Sequence, residues 1–464
     1  MSVRPNSPQA RDIAHVLHPY THLAKHLETG PLILTRGQGI HVFDDSGKQY
    51  IEGLAGLWCA SLGFNETELI DAAIKQMREL PYYHGFGSKS TLPSIDLAEK
   101  LKAMAPANFS KVLFVNSGSE ANDTQIKLAW YYNNARGKTK KKKFISRMRA
   151  YHGITIAASS LTGLPANHRD FDVPLPGFLH TDCPHHYHYA EPGETEEEFA
   201  TRLAKNLEDM IIREDPETVA GFIAEPVMGA GGVIVPPKTY FEKIQAVLAK
   251  YDIMFIADEV ICGFGRTGNP WGCQTYGITP QALSCAKQLS SAYLPIAAVM
   301  IGEEQFQAMV EASKKIGTFG HGFTYSGHPV SAAVALRTLQ IYEERKTFEH
   351  AKTVGVRFQA RLKRLAEHPL VGEARGVGLI GAVELVADKK AHANFDPKQA
   401  VGAYAAARAQ EHGLLIRAMM NDSIGLCPPL IITEAEVDDL FNRLEKALDE
   451  TEAWVKKESL RPAA

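Results

Sequence analysis

Apolar residues recur along this chain in two periods, and the alternation between them predicts its layout. Lys111-Val-Leu-Phe-Val115, Phe144-Ile-Ser146, Val219–Ala224, Ile253–Ala257 and Ile296–Ile301 are short runs, mostly apolar at consecutive positions. Such runs suit strands covered on both faces. Longer stretches between them carry apolar residues three or four apart, as from Asn116 to about Arg136, over Glu197–Ile212 and over Tyr240–Lys250. Leu69–Leu80 has the same spacing, and Gly39–Lys48 reads as strand, turn and return strand. The rest of the first forty residues reads as irregular. Strands alternating with helices predict an α/β protein with a mainly parallel sheet flanked by helices. After about residue 330 the texture changes. Ser331–Glu344, Phe348–His368, Ala400–His412 and Glu434–Lys456 have helical spacing, and Gly378–Val386 reads as a strand. The expected division is an N-terminal segment, 1–60, that joins the small domain; a large domain, 61–335; and a smaller α+β domain, 336–464.

A length of 464 residues agrees with two large domains or three of ordinary size. The formal charge of −3 argues against a nucleic-acid partner. No apolar run is long enough to span a bilayer. The polar start, Met1-Ser-Val-Arg-Pro-Asn6, reads as no signal peptide. Six cysteines without CxxC spacing suit reduced thiols in a cytoplasmic protein. Lys140–Lys143 reads as a solvated turn before a strand. His180, His185, His186 and His188 surround Cys183 and raise the question of zinc. His-His-x-His in a Pro-flanked loop is not a closed ligand set, so a loop and no metal are expected. Gly263-Phe-Gly-Arg-Thr-Gly268 matches G-x-G-x-x-G, yet it opens no N-terminal βαβ unit, and a nicotinamide site is rejected.

Three positions carry chemistry. Asn116-Ser-Gly-Ser-Glu-Ala-Asn122 follows an apolar strand and opens a helix, and Ser117 and Glu120 have capping-box spacing. Gly118 there permits an anion, such as a phosphate, to approach the backbone, although an ordinary helix cap has the same signature. Asp258 and Glu259 end an apolar strand, at the sheet edge where α/β proteins bind ligands. An acid there serves as metal ligand, general base or partner of a protonated ring nitrogen, or is simply solvated. Lys287 follows a mostly apolar stretch. An enclosed lysine loses solvation and becomes a nucleophile, whereas a surface lysine snorkels to water. Anion cup, ring-nitrogen acid and nucleophilic lysine together are what pyridoxal phosphate requires, with the lysine holding its aldehyde as a Schiff base.

On these residues the chain resembles the class III aminotransferases of PLP fold type I, near their ω-amine:pyruvate subgroup. The resemblance rests on Gly53-Leu-Ala-Gly-Leu-Trp58, Asn116–Asn122, Tyr151-His-Gly153, Ala224-Glu-Pro226, Asp258–Gly268, Ala286-Lys-Gln288, Gly322–Pro329 and Arg375-Gly-Val-Gly378. It implies pyridoxal 5'-phosphate as cofactor of the large domain. Lys287 would be the catalytic Schiff-base lysine and proton shuttle. Asp258 would pair with the pyridine nitrogen, Val260 and Tyr151 would cover the two ring faces, and Gly118 and Ser119 would bind the phosphate. Glu225 would support the site, and Thr324 would reach the phosphate of the second subunit in a homodimer. Trp58, Tyr151 and Phe86 (the last from the partner) would line the amine pocket. Arg417 matches a mobile arginine that takes the acceptor's carboxylate. The implied reaction moves an amino group from a small-molecule primary amine or ω-amino acid to pyruvate. 2-Oxoglutarate as acceptor and an aminomutase are the alternatives on the same fold. The chain departs from the usual pattern at Gln288, where a glycine is common, and at Ala292 in Ser291-Ala-Tyr293, where Ser-Gly-Tyr is common. Activity is expected to survive both.

Overall fold

The computed structural model describes residues 4–461. Near the N-terminus β1 (Leu34–Gln38), β2 (His41–Asp44) and β3 (Gln49–Glu52) form an antiparallel meander. The middle of the chain supplies β4 (Phe109–Val115), β5 (Lys143–Arg147), β6 (Phe178–Thr181), β7 (Val219–Ala224), β8 (Met254–Asp258), β9 (Ala282–Cys285) and β10 (Ala297–Gly302). The last part adds β11 (Val371–Val377), β12 (Ile380–Leu385), β13 (Leu414–Leu415), β14 (Arg417–Ala418) and β15 (Ser423–Leu426).

The central sheet has the order β4-β10-β9-β8-β7-β5-β6, parallel throughout except for β10, which runs antiparallel to both neighbours. Its inner strands are mostly apolar at consecutive positions, β7 and β10 throughout, because both faces are covered. Along β10, Ala298 and Met300 pack into a core with Leu97 and Leu101. Ala297, Val299 and Ile301 pack on the opposite face against Ala121 and Leu128 of the helix Gly118–Ala135. This is the mainly parallel, helix-flanked sheet that the sequence predicts. A second sheet, β11-β12-β15-β14, is antiparallel. The third joins the two ends of the chain, because β13 pairs in parallel with β3, Leu414 opposite Ile51. Ile40 and Ile51 share a core with Phe358, Leu414 and Phe441.

Two expectations are corrected. The first forty residues are not irregular: they form helices Pro8–His15 and Leu23–Thr29 besides β1. The first helix carries a local signal, with Ser7 accepting the Ala10 N–H at 3.2 Å and a proline at the first helical position. The Lys140–Lys143 run is not simply solvated. Lys141 is wholly buried, and its ammonium donates to the carbonyls of Pro216, Val219, Tyr251 and Asp252 at 3.0–3.3 Å. Four convergent carbonyl dipoles replace the water that burial removes.

Candidate active site

The carboxyl ends of the parallel strands face one cavity of about 240 Å³. β4 runs into Asn116–Ser117, β5 leads to Tyr151, β7 to Glu225, β8 ends at Asp258, and β9 is followed by Lys287. All of these strands point the same way, so their ends converge at the ligand-binding edge of an open sheet.

After β4 the chain enters the helix Gly118–Ala135 through Ser117, whose hydroxyl accepts the Glu120 N–H at 3.1 Å. The capping box is half formed, because Glu120 turns back to the N–H of Asn116 at 2.7 Å rather than to Ser117. The first-turn N–H groups of Gly118 and Ser119 lack intrahelical partners at this positive helix end. A Cβ on Gly118 would come within 3.1 Å of both Val260 methyls, so the backbone closes on Val260 only with glycine there.

Asp258 is buried at the sheet edge. Its Oδ2 accepts from Asn122 Nδ2 and from His152 Nδ1, each at 2.8 Å, and its Oδ1 accepts the Val260 N–H at 3.1 Å. Lys287 extends into the same cavity from a left-handed backbone, φ 50°. Burial holds its amine below the ordinary lysine value, and the charge of Asp258 opposes that shift. Glu225 accepts the N–H groups of Tyr151 at 3.0 Å and Gly229 at 2.9 Å, and burial raises its pKa. Burial, with the neighbouring Tyr20 hydroxyl, likewise raises that of Tyr151. Trp58 stands between two basic groups: its ring centre is 6.0 Å from the Lys287 amine and 5.7 Å from the Arg417 guanidinium. Arg417 faces Tyr20 at the same 5.7 Å and donates no side-chain hydrogen bond among the described residues.

Nine of the sequence-selected residues therefore line one cavity: Trp58, Gly118, Ser119, Tyr151, Glu225, Asp258, Val260, Lys287 and Arg417. Phe86 and Thr324 do not. Phe86 is half exposed outside it, with its ring 3.0 Å from where a Gly322 Cβ would lie. Thr324 follows two residues after Gly322, its carbonyl accepting from the Tyr82 hydroxyl at 2.8 Å.

Several contributors escaped the sequence reading. Asn122 and His152 lie inside the quoted motifs, but only the fold brings them to Asp258. Tyr20 lines the cavity from the segment read as irregular. Gln288, one of the two departures, is fully used. It donates to the carbonyls of Ile261 and Gly263 at 2.7 and 2.9 Å, and accepts from Ser61 at 2.8 Å and Arg266 at 3.3 Å. The histidine segment is a short helix, His186–Tyr189, rather than a plain loop. There His185 bonds Glu373 at 2.7 Å, and His188 bonds Glu384. Arg375 bridges both acids at 2.7 Å. One guanidinium thus ties the two acids that meet the histidines.

A helix start open to an anion, a buried acceptor carboxylate and an enclosed amine around one cavity make the site of a pyridoxal-phosphate enzyme. The chain matches the class III aminotransferases over residues 23–448 and belongs to that family. It is 53% identical over 443 residues to gamma aminobutyrate transaminase 3, chloroplastic, of Solanum lycopersicum, covering 95% of this chain and 85% of that one. It superposes with a TM-score of 0.96 on the omega transaminase of Pseudomonas jessenii in complex with PMP, at 57% identity over 97% of this chain and 99% of the other. A W58M/F86L/R417L variant of a thermostable omega transaminase, engineered for asymmetric synthesis of enantiopure bulky amines, gives 0.95 at 56% identity over 97% and 100%. Tryptophan, phenylalanine and arginine stand at these same three numbers here.

The protein is a pyridoxal-phosphate-dependent transaminase of fold type I. The residues present fit that cofactor: the glycine that opens the helix start lies beside Val260, the carboxylate faces the cavity floor, and the lysine amine is buried but free of ion pairs among the described residues. No helix of the described residues is long and apolar enough to cross a membrane.

Proposed function

We propose that this enzyme moves an amino group from a primary amine or ω-amino acid to pyruvate, in a homodimer. The observation that carries this reading is Arg417. Its guanidinium lies across Trp58 from Lys287, held by aromatic faces and, among the described residues, by no acid. A cation so placed takes a carboxylate when one enters and moves aside when the substrate has none. The names of the relatives, a gamma aminobutyrate transaminase and an omega transaminase, support a donor whose amine is remote from any carboxylate.

In this reading Gly118 and Ser119 hold the phosphate with backbone N–H groups, Ser119 being steadied by its 3.0 Å bond from the Ile154 N–H. Val260 and Tyr151 cover the ring, and Glu225 fixes the Tyr151 backbone. Asp258 keeps the ring nitrogen protonated, and Asn122 and His152 aim its carboxylate. When bound, the cofactor supplies the electron sink that stabilises a carbanion at the donor carbon. Lys287 would hold the cofactor through its Nζ, and the same Nζ, once free, would take up and return the proton that the reaction moves. Burial disfavours the charged form of that amine, which favours the uncharged form that accepts a proton.

Phe86 and Thr324 serve the partner's site. That neither lines this chain's own cavity supports that assignment. The division into a large domain, 61–335, and a small domain built from 336–464 with residues 1–60 belongs to the same proposal. The pairing of β3 with β13 and their shared core support it.

A donor and acceptor screen tests the reading. Amines and γ-aminobutyrate should be consumed with pyruvate, leaving alanine. A strong preference for 2-oxoglutarate, or isomerisation without any acceptor, would instead favour the related activities of this fold.

A further inference from the structure

The turn that carries Trp58 adopts an unfavourable backbone, and one buried acid that the reaction does not use holds it. Residues 54–58 follow β3. Ala55, Gly56 and Trp58 have φ of 47°, 69° and 59°, all in the left-handed region that a Cβ disfavours. Backbone bonds from Trp58 N to Leu54 O at 2.8 Å and from Cys59 N to Ala55 O at 3.0 Å close the turn. Glu52 closes it from beneath. Its carboxylate, on a side chain with 6% of the residue exposed, accepts the Leu54 N–H at 3.0 Å with Oε1 and the Gly56 N–H with Oε2.

Glu52 forms no ion pair with a lysine, arginine or histidine among the described residues, and burial pushes its pKa up to about 7. An unpaired buried carboxylate is costly, and the two N–H groups that it accepts offset part of that cost. A carboxylate offers two acceptor oxygens and no donor; glutamine would turn an NH₂ group on one of the two N–H groups. The turn that Glu52 holds places the Trp58 indole, itself only 2% exposed, between the Lys287 amine and Arg417.

We propose that Glu52 is a positioning residue: by holding the 54–58 turn in its left-handed form it fixes the Trp58 ring, and so sets how bulky an amine the pocket admits. This rests on the amine-transaminase reading above. Loss of one charge-assisted bond shifts the balance between the held and loosened turn by about ten-fold or more. The selectivity for a compact over a bulky donor, taken as the ratio of kcat/KM values, should fall by a similar factor.

The test is a double-mutant cycle on the holoenzyme with Glu52→Gln, Trp58→Leu and the pair. Glu52→Gln should lower the compact-to-bulky selectivity roughly ten-fold with cofactor absorbance retained. In the Trp58→Leu background it should change selectivity no further. Glu52→Asp, with a carboxylate one methylene shorter, should give an intermediate loss and carries the same test if the glutamine variant fails to fold. Equal losses for both donors, or effects that multiply in the double variant, would overturn the proposal and make Glu52 a packing residue. A wild-type enzyme active on amines with selectivity unchanged in Glu52→Gln refutes the role of Glu52 alone. A wild type inactive on every amine refutes the functional reading, and this proposal with it.

Discussion

Replacing Arg417 with alanine should damage one half of the reaction and spare the other. The guanidinium lies 5.7 Å from the ring centres of both Trp58 and Tyr20 and has no acid to hold it among the described residues. Two cation–π contacts at about 0.5–1 kcal/mol each make displacing it cost roughly 1–2 kcal/mol. Leaving it buried against an apolar amine would cost several kcal/mol, so it moves aside for a neutral donor. A keto acid gives the opposite case, because a charge-assisted contact with its carboxylate is worth about 1.5–3 kcal/mol. Arg417→Ala should therefore slow the pyruvate half-reaction about ten- to a hundred-fold. The half-reaction with a neutral amine should stay within a few-fold of wild type, with any change towards faster, since the arginine no longer has to be moved. Stopped-flow absorbance of the bound cofactor follows each half separately. Equal losses in both halves, or none in either, would show that carboxylate recognition lies elsewhere and that Arg417 only lines the wall.

Four further outcomes are expected. Lys287→Ala should abolish turnover while circular dichroism shows the native fold; near-wild-type turnover would remove the lysine from the mechanism. Asp258→Asn keeps a side chain of the same shape but loses the charge facing the ring nitrogen, and steady-state turnover should drop at least ten- to a hundred-fold with cofactor still bound; an unchanged rate would exclude that role. Ala292 has φ 64° and is exposed, so Ala292→Gly relieves about 1–2 kcal/mol of left-handed strain against roughly 0.5–1 of chain entropy. The denaturation midpoint should rise slightly, and a fall would refute the account. Burial pushes His185 down to about 4. Between about pH 6.5 and 4 the unfolded chain binds a proton that the folded one refuses, so stability declines as pH falls through that window. Tm should fall less steeply there in His185→Gln, and an identical slope would count against the buried histidine.

Local patterns made most of the elements legible. Tyr240–Lys250 is a helix over the residues that its spacing marks, and the apolar runs at 111–115, 144–146, 219–224, 253–257 and 296–301 all fall in the central sheet. The runs show no alternation because each strand is covered twice, as β10 illustrates. Contacts between remote residues were not legible. Nothing near Lys141 announces that carbonyls from residues 216 to 252 will surround it. Nothing near His185 and His188 announces that Glu373 and Glu384, nearly two hundred residues on and bridged by Arg375, will meet their rings. Gln288 looked like a departure beside the lysine, and it is a departure only in sequence. Its amide ties four neighbours together, and the fold had to be in place to show it. For the same reason the motif naming Asp258 could not name its two hydrogen-bond donors.

The pairing of β3 with β13 has a consequence for synthesis. Ile51 and Leu414 are neighbours in the sheet but 363 positions apart in the chain. At about 5–20 residues per second, the ribosome needs roughly twenty seconds to a little over a minute to make what lies between them. During that interval the outer edge of the N-terminal meander is an open template for another strand. The strands and turns bearing Gly118, Asp258 and Lys287 are all made before that edge is closed. A nascent chain can thus assemble its anion cup and lysine early, while the Trp58 wall waits for the stretch that delivers Arg417. Slow translation after residue 300 prolongs the exposure, and a chaperone that shields strand edges would act on this protein in that window.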